Sequence, residues 1–208
     1  MTVAKDERRA LCDLFDKVGP DAPTLCGDWT ARDLAAHLVV RERRLDAAGG
    51  IAVKALAGYT RRVQDGYAAR PWSELVGLVR EGPTLLSPFR IGFVDDMVNT
   101  VEYFVHHEDV RRAGAEWSPR PADARRDSAL WTALGRTASL MFRRSPVGVL
   151  LRTPDGAERT ARSGPDRVVV TGAPGELLLF AFGRDRSEVE LAGGDGAVAA
   201  LRATSRGM

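Results

Sequence analysis

The segment VEYFVHHED, residues 101–109, brings together two of the chain's three histidines and several carboxylates. Glu102 and His106 are four positions apart, so on a helix their side chains project from one face about one turn from each other. Carboxylate and imidazole groups are both good ligands for zinc and similar divalent ions. The spacing therefore indicates a pair that can bind one ion, with a solvated helix end or ordinary salt bridges as the alternatives.

The neighbours of this pair are expected to play other parts. His107 is rotated by about 100° from His106 on a helix, so it is predicted to be a packed or surface histidine. We expect Glu108 to be a solvated carboxylate. Asp109 follows His106 by three positions and can accept a hydrogen bond from a ligand imidazole. A salt bridge from Asp109 to Arg112 would explain the presence of a carboxylate at this position equally well.

The third histidine, His37, lies midway along the amphipathic segment ARDLAAHLVVRER. An unpaired polar ring at that depth would be costly to bury. If the helices adjoin, His37 can meet Glu102 and His106 in the core, where two histidines and one carboxylate leave a coordination position open for water or substrate. The alternative is a core histidine that is merely hydrogen-bonded.

Further polar residues surround His37 in the sequence. Asp33 is predicted to cap the helix, although it could also orient the His37 ring. Arg41, one turn after His37, either lines a cleft or belongs to a charged helix face. Cys26 precedes a helix N-terminus, which would lower the pKa of a thiol, but a small buried apolar residue is the favoured reading. Trp29 is predicted to anchor the packing.

Hydrophobic periodicity predicts helices through residues 1–145. The first predicted helix ends at Gly19-Pro20, the second begins at Thr30, and the third covers 51–69. A fourth, shorter helix begins at Pro71-Trp72 and is followed by a loop around 83–93. Two further helices are predicted over 94–112 and 122–143. This antiparallel pattern is typical of a four-helix bundle with short additions.

After Pro146 the pattern changes to β-like segments. Strands are predicted at 147–151, 167–170 and 188–191, with a turn at Asp155-Gly156, and helices at 175–182 and 196–203. The fold class is therefore α+β, with a helical domain over 1–145 and a small α+β domain over 146–208.

Bulk composition excludes several classes of protein. The 208 residues carry a net charge of only +2, and the arginines are scattered among acidic residues, which disfavours nucleic-acid binding. Two cysteines are too few for a disulfide scaffold. Neither a signal peptide nor an apolar run long enough to span a membrane is found. We expect a cytoplasmic protein, and the Ala, Arg, Gly and Asp bias is typical of actinobacteria.

Three motifs resemble the mycothiol-dependent maleylpyruvate isomerase family of the DinB/YfiT-like metalloenzyme superfamily. The first is Cys-x-x-Trp-Thr-x-x-Asp-Leu-x-x-His, from Cys26 to His37. The second is the Glu102/His106 pair with Asp109 three positions on. The third is Gly-x-x-x-Glu-Leu-Leu-Leu-x-x-x-Gly-Arg, from Gly172 to Arg184.

This resemblance implies a DinB-like four-helix bundle followed by a sterol-carrier-like α+β domain that closes over it. It also implies that His37, Glu102 and His106 bind zinc or another divalent ion, and that mycothiol is the thiol cosubstrate. Arg41 is the candidate for cosubstrate binding. Arg184 is the candidate for holding a substrate carboxylate, against the alternative of a surface arginine at a helix end.

The function that follows is a metal-dependent thiol S-transferase or isomerase acting on an unknown small electrophile. One rival is a divalent-metal-binding protein of the same fold without catalysis, such as a small-molecule binder or sensor. Another is a metal-free bundle with structural histidines. The expected partners are a small-molecule substrate and the thiol, with a homodimer allowed and neither nucleic acid nor membrane expected.

Overall fold

The computed structural model describes residues 2–44, 46–47, 53, 56–83 and 92–207, with the backbone alone for 92–97. The chain divides into two compact units, Met1–Trp117 and Ser118–Met208. The first unit is helical. Its helices are α1 (Val3–Val18), α2 (Ala31–Arg43), α3 (Ala57–Ala68), α4 (Trp72–Glu81) and α5 (Gly92–Arg111). Helix α1 packs along α5 and against α4, and α2 packs against α3 and α4.

The start of α2 is fixed by local hydrogen bonds. The hydroxyl of Thr30 accepts from the Asp33 backbone N–H, and the Asp33 carboxylate accepts from the Thr30 backbone N–H at 2.9 Å. This reciprocal arrangement satisfies two donors that a helix N-terminus otherwise leaves open. The predicted capping role of Asp33 is therefore what the structure shows. With the start fixed, the register of α2 determines where His37 points.

The core of the first unit forms between α1, α2, α4 and α5. Leu11, Phe15, Leu34 and Leu75 are completely buried there. The Phe15 ring meets the ring of Trp72 edge-on, with centroids 5.5 Å apart. Each such apolar side chain contributes about 1.5–3 kcal/mol by leaving water. This packing holds the helices that carry the candidate ligands.

The second unit packs helices against a four-stranded sheet of order β2-β1-β3-β4. The strands are β1 (Val149–Arg152), β2 (Glu158–Arg162), β3 (Val168–Thr171) and β4 (Glu190–Ala192), and the helices are α6 (Ala124–Met141), α7 (Pro174–Ala181) and α8 (Asp195–Ala203). Strand β1 pairs antiparallel with β2 and parallel with β3, and β4 pairs antiparallel with β3. Helix α6 packs against α7 and β2.

The α+β class agrees with the sequence prediction, and most of the described elements match within a few residues. By the division into compact units, α6 belongs with the sheet, whereas the sequence pattern placed it before a domain boundary at residues 145 and 146. Strand β2 had not been predicted. The predicted loop around residues 83–93 lies largely outside the described residues, as does the start of the helix predicted over 51–69. None of the helices in the described part of the chain combines the length and the apolar character that a membrane span requires.

Candidate metal centre

Helices α2 and α5 bring the three predicted ligands together. His37 comes from α2, and Glu102 and His106 lie one turn apart on α5. Nε2 of His37 is 3.4 Å from Oε1 of Glu102, and Nε2 of His106 is 3.3 Å from the same oxygen. The three candidate ligand atoms all lie within 4.8 Å of one another. One carboxylate oxygen therefore faces two imidazole nitrogens.

These separations suit a tetrahedral ion. Nitrogen and oxygen ligands bind zinc at about 2.0–2.2 Å, which places neighbouring ligand atoms about 3.4 Å apart in a tetrahedron. The observed 3.3 and 3.4 Å are close to that spacing. They exceed the usual N–H···O hydrogen-bond length of about 2.9–3.0 Å. The donor set therefore fits a divalent ion in both chemistry and spacing.

The second nitrogen of the His106 ring is held by Asp109. Nδ1 of His106 lies 3.0 Å from Oδ2 of Asp109, a residue with no exposed surface. Two roles were predicted for Asp109, acceptor for the imidazole and partner of Arg112. The structure places Asp109 against the imidazole. Arg112 meanwhile pairs with Glu108 at 2.5 Å. A carboxylate behind a ligand histidine fixes the orientation and tautomer of the ring.

Arg41 contacts the candidate ligand carboxylate instead of lying on a solvated charged face. The side chain is buried, and its Nη1 donates to Oδ1 of Asn99 at 2.6 Å. Its Nε lies 3.4 Å from Oε1 of Glu102. Asn99 had not been singled out from the sequence, although its position three residues before Glu102 puts it on the same face of α5. A role for Arg41 in cosubstrate binding stays a prediction.

The charge states of the three residues follow from burial and contacts. Burial raises the pKa of Glu102, but its contacts with His106, His37 and Arg41 outweigh burial and hold the pKa well below the usual value. Burial lowers the pKa of His37, which favours the neutral ring that binds metals. Burial also lowers the pKa of His106, yet hydrogen bonds to Asp109, Cys26 and Glu102 raise it well above the ordinary value. An ion would therefore displace a proton from His106.

A cleft of about 550 Å³ reaches His37. Its size suits a small molecule. Residues of the 24–29 loop, α2 and α3 form its walls: Cys26, Asp28, Trp29, Asp33, His37, Ala57, Thr60, Arg61, Gln64 and Asp65. The Trp29 ring packs beside the His37 ring, with centroids 5.2 Å apart. Trp29 also packs against the core, in agreement with its predicted role as a packing anchor. Its indole therefore contacts both the core and His37 and forms part of the cleft wall.

Comparison of whole structures identifies the architecture. No protein family and no curated protein matches the sequence. The structure resembles the "Crystal structure of the mycothiol-dependent maleylpyruvate isomerase" over 91% of this chain and 90% of that one, with a TM-score of 0.58 and 15% identity. The chain shares the fold of that isomerase. A mutant of the isomerase with one histidine replaced by alanine matches over the same shares of each chain, with a TM-score of 0.58 and 14% identity.

Two neighbours of the candidate ligands on α5 are buried and lie against charged side chains. His107 is buried, with Nδ1 3.5 Å from a carboxylate oxygen of Glu7, in line with a packed histidine. The prediction that Glu108 is solvated was wrong. Glu108 is buried and pairs with Arg111 as well as Arg112, because the two arginines follow it by three and four positions on one helix face.

Arg184 lies in the second unit of the isomerase fold, just after α7. Its guanidinium donates from Nη1 to the backbone oxygen of Phe182 at 2.9 Å, and its own backbone oxygen accepts from the Ser187 hydroxyl at 3.0 Å. The side chain is half-buried. Its predicted role toward a substrate carboxylate stays a prediction.

Proposed function

We propose that this chain binds a divalent ion, with zinc as the first candidate, through His37, Glu102 and His106. The observation that carries the proposal is the spacing of their atoms, 3.3 and 3.4 Å around one oxygen of Glu102. Two helices supply these atoms from distant parts of the sequence. Three protein ligands leave the fourth tetrahedral position to a water or a substrate, as in catalytic zinc sites.

We further propose that the occupant of this fourth position is the sulfur of a low-molecular-weight thiol, mycothiol in the first instance. Two observations support this. The solved structures that share the fold are described as mycothiol-dependent. The cleft of about 550 Å³ reaches His37, one of the three candidate ligands, and has room for a small molecule there. A half-buried arginine such as Arg184 is suited to hold a substrate carboxylate, and Arg41 is the candidate for the cosubstrate.

The proposed chemistry is transfer or isomerisation through a thiolate. A bound divalent ion would lower the pKa of a coordinated thiol and so supply the thiolate, which is the nucleophilic form. The sulfur then adds to an electrophilic carbon. In a transfer the new S–C bond persists and a leaving group departs. In an isomerisation the S–C bond forms while the electron pair of a carbon–carbon double bond moves onto the conjugated carbonyl group. The substrate rotates about the bond that has become single, and the returning electron pair restores the double bond, breaks the S–C bond and releases the thiolate.

The chain's own residues prepare this reaction. Glu102 contributes a negative charge to the candidate ligand set, and Asp109 holds the far side of the His106 ring. The Trp29 indole packs beside the His37 ring and forms part of the cleft wall. At the level of architecture, we propose that the first unit contains the DinB-like four-helix bundle and the second the sterol-carrier-like domain.

Metal analysis of the purified protein tests the proposal first. We expect about one divalent ion per chain in the wild type and a large loss in His37→Ala, whose candidate ligand lies on a different helix from the other two. Circular dichroism confirms that the variant is folded. Well under one ion per chain in the wild type, even after incubation with zinc, would exclude the proposed centre.

Cobalt substitution distinguishes the enzyme from a metal-binding protein without catalysis. Cobalt(II) reports its ligands by its visible absorption. Adding mycothiol to the cobalt-loaded protein should produce a thiolate-to-cobalt charge-transfer band, and the His37→Ala protein provides the control. A spectrum that no thiol changes, in a protein that binds cobalt fully, would favour the non-catalytic metal binder.

A further inference from the structure

One oxygen of Asp109 joins the candidate ligand His106 to Cys26. Oδ2 of Asp109 lies 3.0 Å from Nδ1 of His106 and 3.0 Å from Sγ of Cys26. A carboxylate can only accept hydrogen bonds, so both neighbours present a hydrogen to it. When Nδ1 of a neutral imidazole carries the hydrogen, the lone pair is on Nε2, and Nε2 of His106 is the atom that faces Glu102. The Asp109 contact therefore selects the tautomer that an ion requires.

Cys26 belongs to a short loop, residues 24–29, that we call the clasp loop. The backbone N–H of Leu25 donates to the backbone oxygen of Asp109 at 3.0 Å, so the loop is attached to Asp109 by main chain and side chain alike. The loop is also closed on itself. The Thr24 hydroxyl donates to the Trp29 backbone oxygen at 2.8 Å and accepts from the Cys26 backbone N–H at 3.1 Å.

The other end of the clasp loop touches the second histidine. The Trp29 ring packs against His37 with centroids 5.2 Å apart and planes inclined by 50°. The clasp loop therefore contacts His37 directly and contacts Asp109, the residue that lies against His106. Cys26, Asp28 and Trp29 also line the cleft, so the loop forms part of the cleft wall next to His37.

We propose that the clasp loop, with Asp109, presets both histidines for the ion, and that Cys26 and Asp109 are positioning residues of the metal centre. The inference rests on the proposed metal function. Cys26 holds the Asp109 carboxylate in place, and Asp109 in turn fixes the His106 ring. Trp29 restricts the His37 ring by packing against it. The ion then meets ligands that are already oriented, so little ordering of side chains accompanies binding.

Cys26 could instead be a ligand, because Sγ of Cys26, Nδ1 of His106 and Oδ2 of Asp109 also lie within 4.8 Å of one another. The distances argue against this. A zinc ion at about 2.3 Å from sulfur and about 2.1 Å from oxygen would hold those two atoms about 3.6 Å apart. The observed 3.0 Å between Sγ and Oδ2 is too short for that arrangement and fits a thiol that donates to the carboxylate. The set containing His37 and Glu102 has the wider spacing of an ion site.

Zinc affinity of matched variants tests the positioning roles. Competition with a chromophoric chelator gives the dissociation constant for the full-length protein. Loss of an outer partner of a ligand histidine weakens metal binding by roughly 10–100-fold, and we expect this range for Asp109→Ala. Cys26→Ala should weaken binding several-fold, whereas Cys26→Ser should restore wild-type affinity, because its hydroxyl can donate to Asp109. Glu74→Ala, at an exposed position outside the cleft, is the control and should leave the affinity unchanged.

Two spectroscopic readouts separate positioning from a merely structural role. In the zinc-loaded protein, ¹⁵N NMR should show His106 protonated at Nδ1 and bound through Nε2. In Asp109→Ala, signals of a second form bound through Nδ1 should appear. In the cobalt-loaded protein without added thiol, no thiolate-to-cobalt band should be present. A band that disappears in Cys26→Ser would show that Cys26 is a ligand and would overturn the inference.

The outcomes also separate this inference from the proposed function. If His37→Ala keeps full zinc affinity, the proposed metal centre is wrong. If His37→Ala loses zinc while Asp109→Ala and Cys26→Ala bind it like the wild type, the centre stands and the clasp inference fails. Because Asp109 is buried, circular dichroism checks that Asp109→Ala is folded, and an unfolded variant is set aside. Cys26→Ala, at a half-buried position, then decides the matter together with Cys26→Ser.

Discussion

Nε2 of His37 lies 3.4 Å from Oε1 of Glu102, although 65 positions separate the two residues in the sequence. The same oxygen lies 3.3 Å from Nε2 of His106 and 3.4 Å from Nε of Arg41. Three nitrogen-bearing side chains therefore converge on one carboxylate oxygen. A carboxylate so surrounded stays ionised, which is the form that binds a cation.

Replacing this carboxylate by an amide should remove most of the metal affinity. Glu102→Gln keeps the size of the side chain but removes its charge, and a neutral amide oxygen is a poor zinc ligand. We expect the zinc dissociation constant to rise by more than the roughly 10–100-fold found for outer partners. Chelator competition measures it. Glu81→Gln, at an exposed position that pairs with Arg43, should bind zinc like the wild type.

The two adjacent histidines on α5 should behave oppositely when replaced. His106→Asn removes a candidate ligand and should abolish stoichiometric zinc binding. His107→Asn removes a ring that contacts Glu7, so we expect it to alter stability while zinc remains at about one ion per chain. Metal analysis and thermal unfolding of both variants check this. If His107→Asn lost the zinc and His106→Asn kept it, the ligand set would be wrong.

Much of the candidate site could be predicted from local spacing. Helical geometry alone puts Glu102 and His106 on one face. The capping box of Thr30 and Asp33 is readable from four consecutive residues and fixes where α2 begins. The inclusion of His37 was inferred in a different way. Its polar ring lies midway along an amphipathic helix, where burial without a partner would be costly. These inferences succeed because each depends on a single helix whose geometry is regular.

Features that depend on what packs against a helix or strand could not be predicted from local sequence spacing. Periodicity did not reveal the burial of Glu108. The contact from Cys26 to Asp109 spans 83 positions, and no spacing rule relates residues that far apart. Strand β2 has charged and exposed positions over Glu158–Arg162, because it forms the edge of the sheet, and such a strand lacks the apolar signal that identifies a buried one.

The buried Glu108 provides a test of stability with a matched control. Glu108 and Arg112 form an i,i+4 ion pair with both side chains 1% exposed. Removing one partner of a buried pair leaves an uncompensated charge, so Glu108→Gln should lower the free energy of unfolding by about 3–5 kcal/mol. Arg70 and Glu74 form an i,i+4 pair that is largely exposed. Glu74→Gln should therefore change the free energy of unfolding by less than about 1 kcal/mol.

Denaturant unfolding of the two variants measures this difference. Equal effects of Glu108→Gln and Glu74→Gln would contradict the burial seen in the structure. Zinc content should stay at the wild-type level in both variants, because neither glutamate belongs to the candidate ligand set.

The thiol of Cys12 should resist alkylation in the folded protein. Burial raises its pKa to about 12, and the nearby Arg80 and Arg8 only partly oppose this. The thiolate is the reactive form, and an ordinary thiol has a pKa of about 8.5. With a pKa near 12, only about one Cys12 in ten thousand is a thiolate at pH 8, against about a quarter of ordinary thiols. Burial also restricts access of the reagent.

Cys26→Ser leaves Cys12 as the only cysteine, so mass spectrometry after iodoacetamide treatment reports on Cys12 alone. At pH 8 we expect almost no modification of the folded variant. One full equivalent should be incorporated in guanidinium, where the burial is lost and the pKa returns toward its ordinary value. The folded-state rate should rise about tenfold per pH unit while the protein stays folded, since the thiolate fraction rises by that factor below the pKa. Alkylation of the folded variant at the rate of a free thiol would contradict the burial of Cys12 in the core of the first unit.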